Sequence, residues 1–142
     1  TMNILFVCTG NTCRSPMAEG IAKAILAKKG KDDVVLSAGL FTAPGGRVSP
    51  FAVEAVKDIA DISEHRSRPL TTALIDAADL VVGLSSDHKQ VLLRQYPQLA
   101  DKFTTLGEWA GTNEDVPDPF GGDQEEYKEC AKQIRTLLEK AL

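Results

Sequence analysis

The stretch from Asn3 to Ser15 constrains this chain more than any other. Asn3 to Cys8 is an apolar run rich in branched side chains, Thr9-Gly10-Asn11 is a turn signal, and Ser15-Pro16 opens an amphipathic segment. A buried strand therefore passes through a tight loop directly into a helix. That beginning predicts a parallel α/β sheet with its chemistry beyond the carboxyl ends of the strands. Five residues separate Cys8 from Arg14. That spacing is enough to curl the backbone into a ring whose N–H groups converge on an anion, adding to the positive end of the following helix. The same field favours a thiolate at Cys8. A sulfur nucleophile ringed by donors for phosphate oxygens suits cleavage of a phosphate ester or phosphoramidate through a phosphocysteine intermediate.

Further along, apolar periodicity alternates with short branched runs. Met17, Ala18, Ile21, Ala22, Ile25 and Leu26 form one helical stripe until Gly30, with Ser15 expected as its N-cap and Pro16 as its first helical residue. Val34 to Ala38 reads as the second strand, and Gly39 to Val48 as a mobile loop at the substrate entrance. Ser49-Pro50 opens a second stripe of Phe51, Ala52, Ala55, Val56, Ile59 and Ala60. Thr71 to Ala77 is a short helix, Leu80 to Leu84 the third strand, Ser86 to Tyr96 a helix and Lys102 to Thr105 a further strand. Asp123 and Glu126 are spaced as a capping box for a last helix burying Tyr127, Cys130, Ile134, Leu137 and Leu138. Residues 1–142 are expected to form a single domain.

Composition excludes several classes of function. A net charge of −4 with scattered Lys and Arg disfavours nucleic acid as the partner, because a phosphate backbone needs a concentrated basic face. Ile4 to Val7 is too short to be a signal sequence or a membrane span, so no membrane association and a cytoplasmic setting are expected. Three cysteines make no disulfide framework, and with His65 and His88 they show no paired metal-ligand spacing. Neither metal nor cofactor is expected. Cys130 falls at an apolar helix position and reads as a core residue, and both histidines read as surface or structural.

The run Cys8-Thr9-Gly10-Asn11-Thr12-Cys13-Arg14-Ser15-Pro16-Met17-Ala18-Glu19, with Ser37-Ala38-Gly39 and Asp118-Pro119-Phe120-Gly121-Gly122, resembles the low-molecular-weight protein phosphatases over nearly the whole chain. Within them the sequence is similar to the bacterial protein arginine phosphatases. The resemblance implies a three-layer, doubly wound α/β fold with a four-stranded parallel sheet in the order 2-1-3-4 and helices on both faces. It implies phosphorylated proteins as substrates, and it leaves the oligomeric state open.

Roles can then be assigned to single residues. Cys8 is the expected nucleophile, and the planar fork of Arg14 can take two phosphate oxygens at once. Gly10 and Asn11 tolerate the positive φ that a ring of inward N–H groups demands somewhere. Thr9 contributes its N–H. Ser15 is both helix cap and, by family resemblance, hydroxyl donor to the Cys8 thiolate. Asp118 matches the family's general acid, with Asp115 as a decoy, and Phe120 supplies an aromatic wall. Cys13 either packs beneath the loop or, as the family resemblance supports, caps Cys8 as a reversible disulfide.

Thr12 discriminates between substrates. By resemblance, tyrosine-directed relatives carry an aliphatic residue there and arginine phosphatases a threonine, whose hydroxyl suits a guanidinium better than an aromatic ring. Phosphoarginine on proteins is the expected substrate and phosphotyrosine the alternative. Arsenate reductases share the scaffold but relay electrons through a further cysteine pair, which Val81 to Lys89 lacks. A non-catalytic phosphate-binding module is the remaining reading, opposed by the joint presence of Cys8, Arg14 and Asp118.

Overall fold

A computed structural model describes residues 1–142. Strand β1 (Asn3–Cys8) lies at the centre of the sheet, paired in parallel with β2 (Val34–Gly39) on one side and β3 (Leu80–Gly83) on the other. The short β4 (Phe103–Thr105) extends the sheet beyond β3, completing four parallel strands in the order 2-1-3-4. A strand flanked on both edges and covered on both faces must be apolar at every position. In β1 the residues from Ile4 to Cys8 are all buried.

Alternation along β1 divides the core. Ile4, Phe6 and Cys8 point to one face, against α1 (Arg14–Lys28), α2 (Pro50–Val56) and α6 (Gln124–Ala141). Leu5 and Val7 point to the other, with Ile75 of α3 (Thr72–Ala77) and Leu92 of α4 (Ser86–Gln95). This parity sends the Cys8 side chain to the face where α1 begins. The expected stripes of α1 and α6 face the core: Met17, Ala18, Ile21, Ala22 and Leu26 are buried in α1 with Ile25 partly so, and Tyr127, Cys130, Ile134, Leu137 and Leu138 are buried in α6. No helix is long and apolar enough to cross a membrane.

Several local expectations are corrected. Helix α1 starts at Arg14 with Cys13 at the cap position and no side-chain cap bond, so Ser15 lies inside the first turn and is not the N-cap. Helix α2 ends at Val56 and leaves Ile59 and Ala60 beyond it; Phe51 is half-exposed, its ring centroid 5.4 Å from that of Tyr127. The Asp123 carboxylate caps α6 by accepting from Glu126 N at 3.0 Å, without the return bond of a full capping box. A short helix α5 (Leu106–Trp109), opened by a Thr105–Glu108 capping box, was not anticipated.

The segment Gly39 to Val48, expected to be mobile, is pinned. Leu40 N and Phe41 N donate to Cys8 O and Thr9 O, while Gly45 and Gly46 exchange backbone bonds with Ser67. Gly39 has to be glycine: a Cβ there would sit 2.7 Å from a Thr42 methyl carbon and 3.0 Å from Thr9 O.

Candidate active site

Between β1 and α1 the backbone uses its carbonyls outward and leaves its amides inward. The carbonyls of Cys8, Thr9 and Thr12 accept from Leu40 N, Phe41 N and Ser49 N, and Asn11 O accepts from His65 Nε2 at 3.0 Å. None of the N–H groups from Thr9 to Ser15 donates to a backbone carbonyl. Consecutive amides without internal partners at the head of a fifteen-residue helix make an anion cradle.

Asn11 sets the curvature. Its φ of 56° is the one non-glycine value in the left-handed region, whereas Gly10 does not adopt a positive φ. The Asn11 side chain is fully buried and fully bonded: Oδ1 accepts from Arg68 N at 3.0 Å, and Nδ2 donates to Ser15 Oγ at 2.8 Å and to Ser37 Oγ at 3.0 Å. Ser37 in turn donates to Glu19 Oε1 at 2.6 Å. Because Ser15 Oγ already accepts from Asn11, its own proton is free for Cys8 Sγ, 2.9 Å away. An O–H aimed at sulfur can hold the negative charge that forms there when the thiolate leaves phosphorus.

Cys8, Thr9, Gly10, Thr12, Cys13, Arg14, Asp118 and Phe120 line one cavity of about 230 Å³. Asn11 and Ser15 lie beneath it, both fully buried. Arg14 is buried and directed: Nη1 donates to Val116 O at 3.0 Å, and Nη2 lies 3.6 Å from Asp118 Oδ2. Asp118 is half-exposed, and its Oδ1 accepts from Phe120 N. Phe120 stands 80% exposed at the rim, a wall without a partner of its own. Asp115 does not line this cavity; it borders the adjoining cleft and accepts from Ser86 N and Ser86 Oγ at the start of α4. A larger hollow of about 690 Å³ is lined by no cysteine, serine or threonine.

Both histidines touch the loop, which gives the structural half of the expected reading its particular partners. His65 holds Asn11 O, and burial pushes its pKa down. His88 meets Thr9 Oγ1 at 3.2 Å, which gives the Thr9 side chain a bond that sequence reasoning did not find. The signal was the spacing Ser85-x-x-His88 at a strand-to-helix junction, a capping-box position. Cys13 packs under the loop with Sγ 3.4 Å from Tyr127 Oη, and burial raises its pKa. Cys130 is the core residue expected of it, its thiol pushed up to about 12 by desolvation.

Fold and loop together define a cysteine-dependent phosphatase. Residues 3–142 match the low molecular weight phosphotyrosine protein phosphatase family, and the chain belongs to it. Among curated relatives, a protein-arginine-phosphatase of Bacillus subtilis is 45% identical over 96% of this chain and 92% of its own length. One from Geobacillus stearothermophilus is 41% identical over 96% and 91%. Among solved structures, a cysteine-to-serine variant of the YwlE arginine phosphatase with a phosphorylated active-site serine superposes with a TM-score of 0.94 at 43% identity, covering 98% of this chain and 92% of the other. A low molecular weight protein tyrosine phosphatase from T. tengcongensis superposes with a TM-score of 0.94 at 46% identity, covering 99% and 97%.

Proposed function

We propose that this protein hydrolyses phosphoarginine residues on proteins through a phosphocysteine intermediate. The observation that carries the chemistry is the loop from Thr9 to Ser15, its carbonyls tied outward and its amides without internal acceptors above Cys8. In this reading the Cys8 thiolate attacks phosphorus and a sulfur–phosphorus bond forms as the bond to the leaving nitrogen breaks. Asp118 protonates that nitrogen, then takes a proton from the water that attacks the phosphocysteine and releases orthophosphate. Arg14 and the loop amides bind the equatorial oxygens, gripping harder as charge builds. Ser15 stabilises the sulfur anion as it departs.

The choice of phosphoarginine rests on Thr12, Phe120 and the naming of relatives. Thr12 lines the cavity together with Asp118 and Phe120, so a threonine, with a hydroxyl available as a polar partner, stands where an aliphatic side chain would offer none. A phosphorylated guanidinium keeps N–H groups that can donate to the carbonyl oxygen of the protonated Asp118 carboxyl while its O–H is handed to the leaving nitrogen; a phenyl ester has no such donors. The Bacillus and Geobacillus relatives are named protein-arginine-phosphatases. Phosphotyrosine is kept as a second reading, because the T. tengcongensis protein, 46% identical, is named a protein tyrosine phosphatase.

Side-by-side turnover on phosphoarginine and phosphotyrosine peptides tests the substrate. Phosphoarginine should give the higher kcat/KM, and Thr12→Ile should move the ratio toward phosphotyrosine by about tenfold. A wild-type preference for phosphotyrosine, or no shift in the variant, refutes the assignment. Loss of all aryl phosphate turnover in Cys8→Ser separates the enzyme from a binding module.

A further inference from the structure

His88 is only 3% exposed and stands in the first turn of α4, bordering a cleft shared with Thr9, Arg14 and Asp118. Its closeness to the loop is permitted by Gly83 at the end of β3. A Cβ there would meet His88 Cβ at 3.0 Å and Lys89 N at 3.2 Å. The orientation of the ring follows from the backbone. Ser85 N donates to His88 Nδ1 at 3.1 Å and Ser85 Oγ lies 3.2 Å from the same atom; with Nδ1 accepting from the backbone, the single proton of the neutral imidazole is assigned to Nε2. There it faces Thr9 Oγ1 at 3.2 Å. Arg14 Nη2 lies 3.3 Å from the same Nε2. Two donors cannot share a hydrogen bond, so this second approach is packing of the ring edge against the guanidinium.

The surroundings keep the ring uncharged. Burial, then the charge of Arg14, lower the His88 pKa to about 4, against the opposing pull of Asp87, Asp118 and Asp115. Protonation would add a second cation beside Arg14 and displace the Ser85 N–H from Nδ1.

We propose that His88 is a positioning residue for the phosphatase reaction, its Nε2–H fixing Thr9 in the anion loop and its ring edge limiting the travel of the Arg14 guanidinium. The proposal rests on the phosphatase reading above. Nothing in it requires His88 to touch substrate. A merely structural histidine would serve only to cap α4 through Nδ1, and the two roles can be separated by amide replacements. Asparagine reproduces the acceptor near Nδ1 but does not reach Thr9, whereas glutamine carries an N–H donor to the Nε2 position.

In His88→Asn, kcat/KM on an aryl phosphate should fall about tenfold while the unfolding midpoint stays within about 2 °C of wild type; in His88→Gln it should recover to within about threefold of wild type. Wild-type turnover in His88→Asn overturns the proposal, as does an equal loss in both variants with a shared fall in midpoint. Nitrogen NMR of the wild-type imidazole should show Nε2 protonated and Nδ1 bare at neutral pH; the opposite tautomer overturns it as well. If the wild-type protein turns over no aryl phosphate, the phosphatase reading fails on its own. Orthophosphate affinity then decides the positioning role: weakened in His88→Asn and recovered in His88→Gln supports it, and equal affinities refute it.

Discussion

Cys8 Sγ and Ser15 Oγ lie 2.9 Å apart, and Asn11 Nδ2 donates to the same serine oxygen, which leaves the serine proton to point at the sulfur. A hydroxyl thus constrained is a donor dedicated to sulfur. Removing it in Ser15→Ala should lower kcat by about 10- to 100-fold, the worth of a hydrogen bond to a charged group. Alkylation of Cys8 by iodoacetamide should slow in parallel. A variant with unchanged kcat would show that the contact is only packing.

Arg14→Lys should retain the charge and lose the fork. The guanidinium is held in register by Val116 O at 3.0 Å, and a lysine can supply only a point charge to the equatorial oxygens. A loss of about 10²- to 10³-fold in kcat is expected, comparable to deleting an oxyanion donor. Steady-state kinetics on an aryl phosphate measures it.

Asp118→Asn should discriminate between leaving groups. Activated aryl phosphates depart without a proton and should lose little in the first step, whereas phosphoarginine and phenyl phosphate should slow by about 10²-fold or more. Equal losses across the series would remove Asp118 from the acid's role.

Asn11→Ala should act on the fold and the site together. It deletes bonds to Arg68 N, Ser15 Oγ and Ser37 Oγ and leaves an alanine at φ 56°. Buried polar groups left unmet cost about 1–3 kcal/mol each, so a destabilisation of about 3 kcal/mol or more is expected from denaturant unfolding. Activity should fall as well, because Ser15 loses the partner that orients it.

Stability should decline with acidification through a defined window. His88 has a folded pKa of about 4 against an ordinary value of 6.5, so between these values the unfolded chain binds a proton that the native one refuses. Unfolding free energy therefore rises with pH across that interval by up to about 3 kcal/mol; this contribution of His88 is fully present above about 6.5 and lost by about 4. His65, shifted in the same direction, adds to the slope. His88→Gln should flatten the curve, which denaturant titrations at several pH values would show.

Sequence reasoning reached the parts of this molecule where one local rule suffices. The apolar run of β1, the Cys8-to-Arg14 spacing and the stripes of α1 and α6 each announce themselves, because burial on both faces or helical periodicity leaves few other solutions. It failed where a residue serves a distant partner. Ser15 has the grammar of an N-cap, but the first turn of α1 is kept uncapped, with its amides and the Ser15 hydroxyl turned to the anion loop. His88 is brought to Arg14 across 74 positions by the parallel pairing of β1 with β3, a contact that no spacing encodes. Gly39 to Val48 is rich in turn residues and reads as mobile, yet it accepts its order from Ser67 and from the loop carbonyls.

Because the carbonyls of Cys8, Thr9, Asn11 and Thr12 are held by Leu40, Phe41, His65 and Ser49, the catalytic ring cannot exist as a peptide; it is assembled by chain segments that meet only after collapse. Occupancy and conformational stability are therefore thermodynamically linked. Saturating orthophosphate or vanadate must raise the melting temperature by an amount set by RT ln(1 + [L]/Kd), so a simple thermal shift reads out how well each variant still grips its anion, even when turnover is too slow to follow.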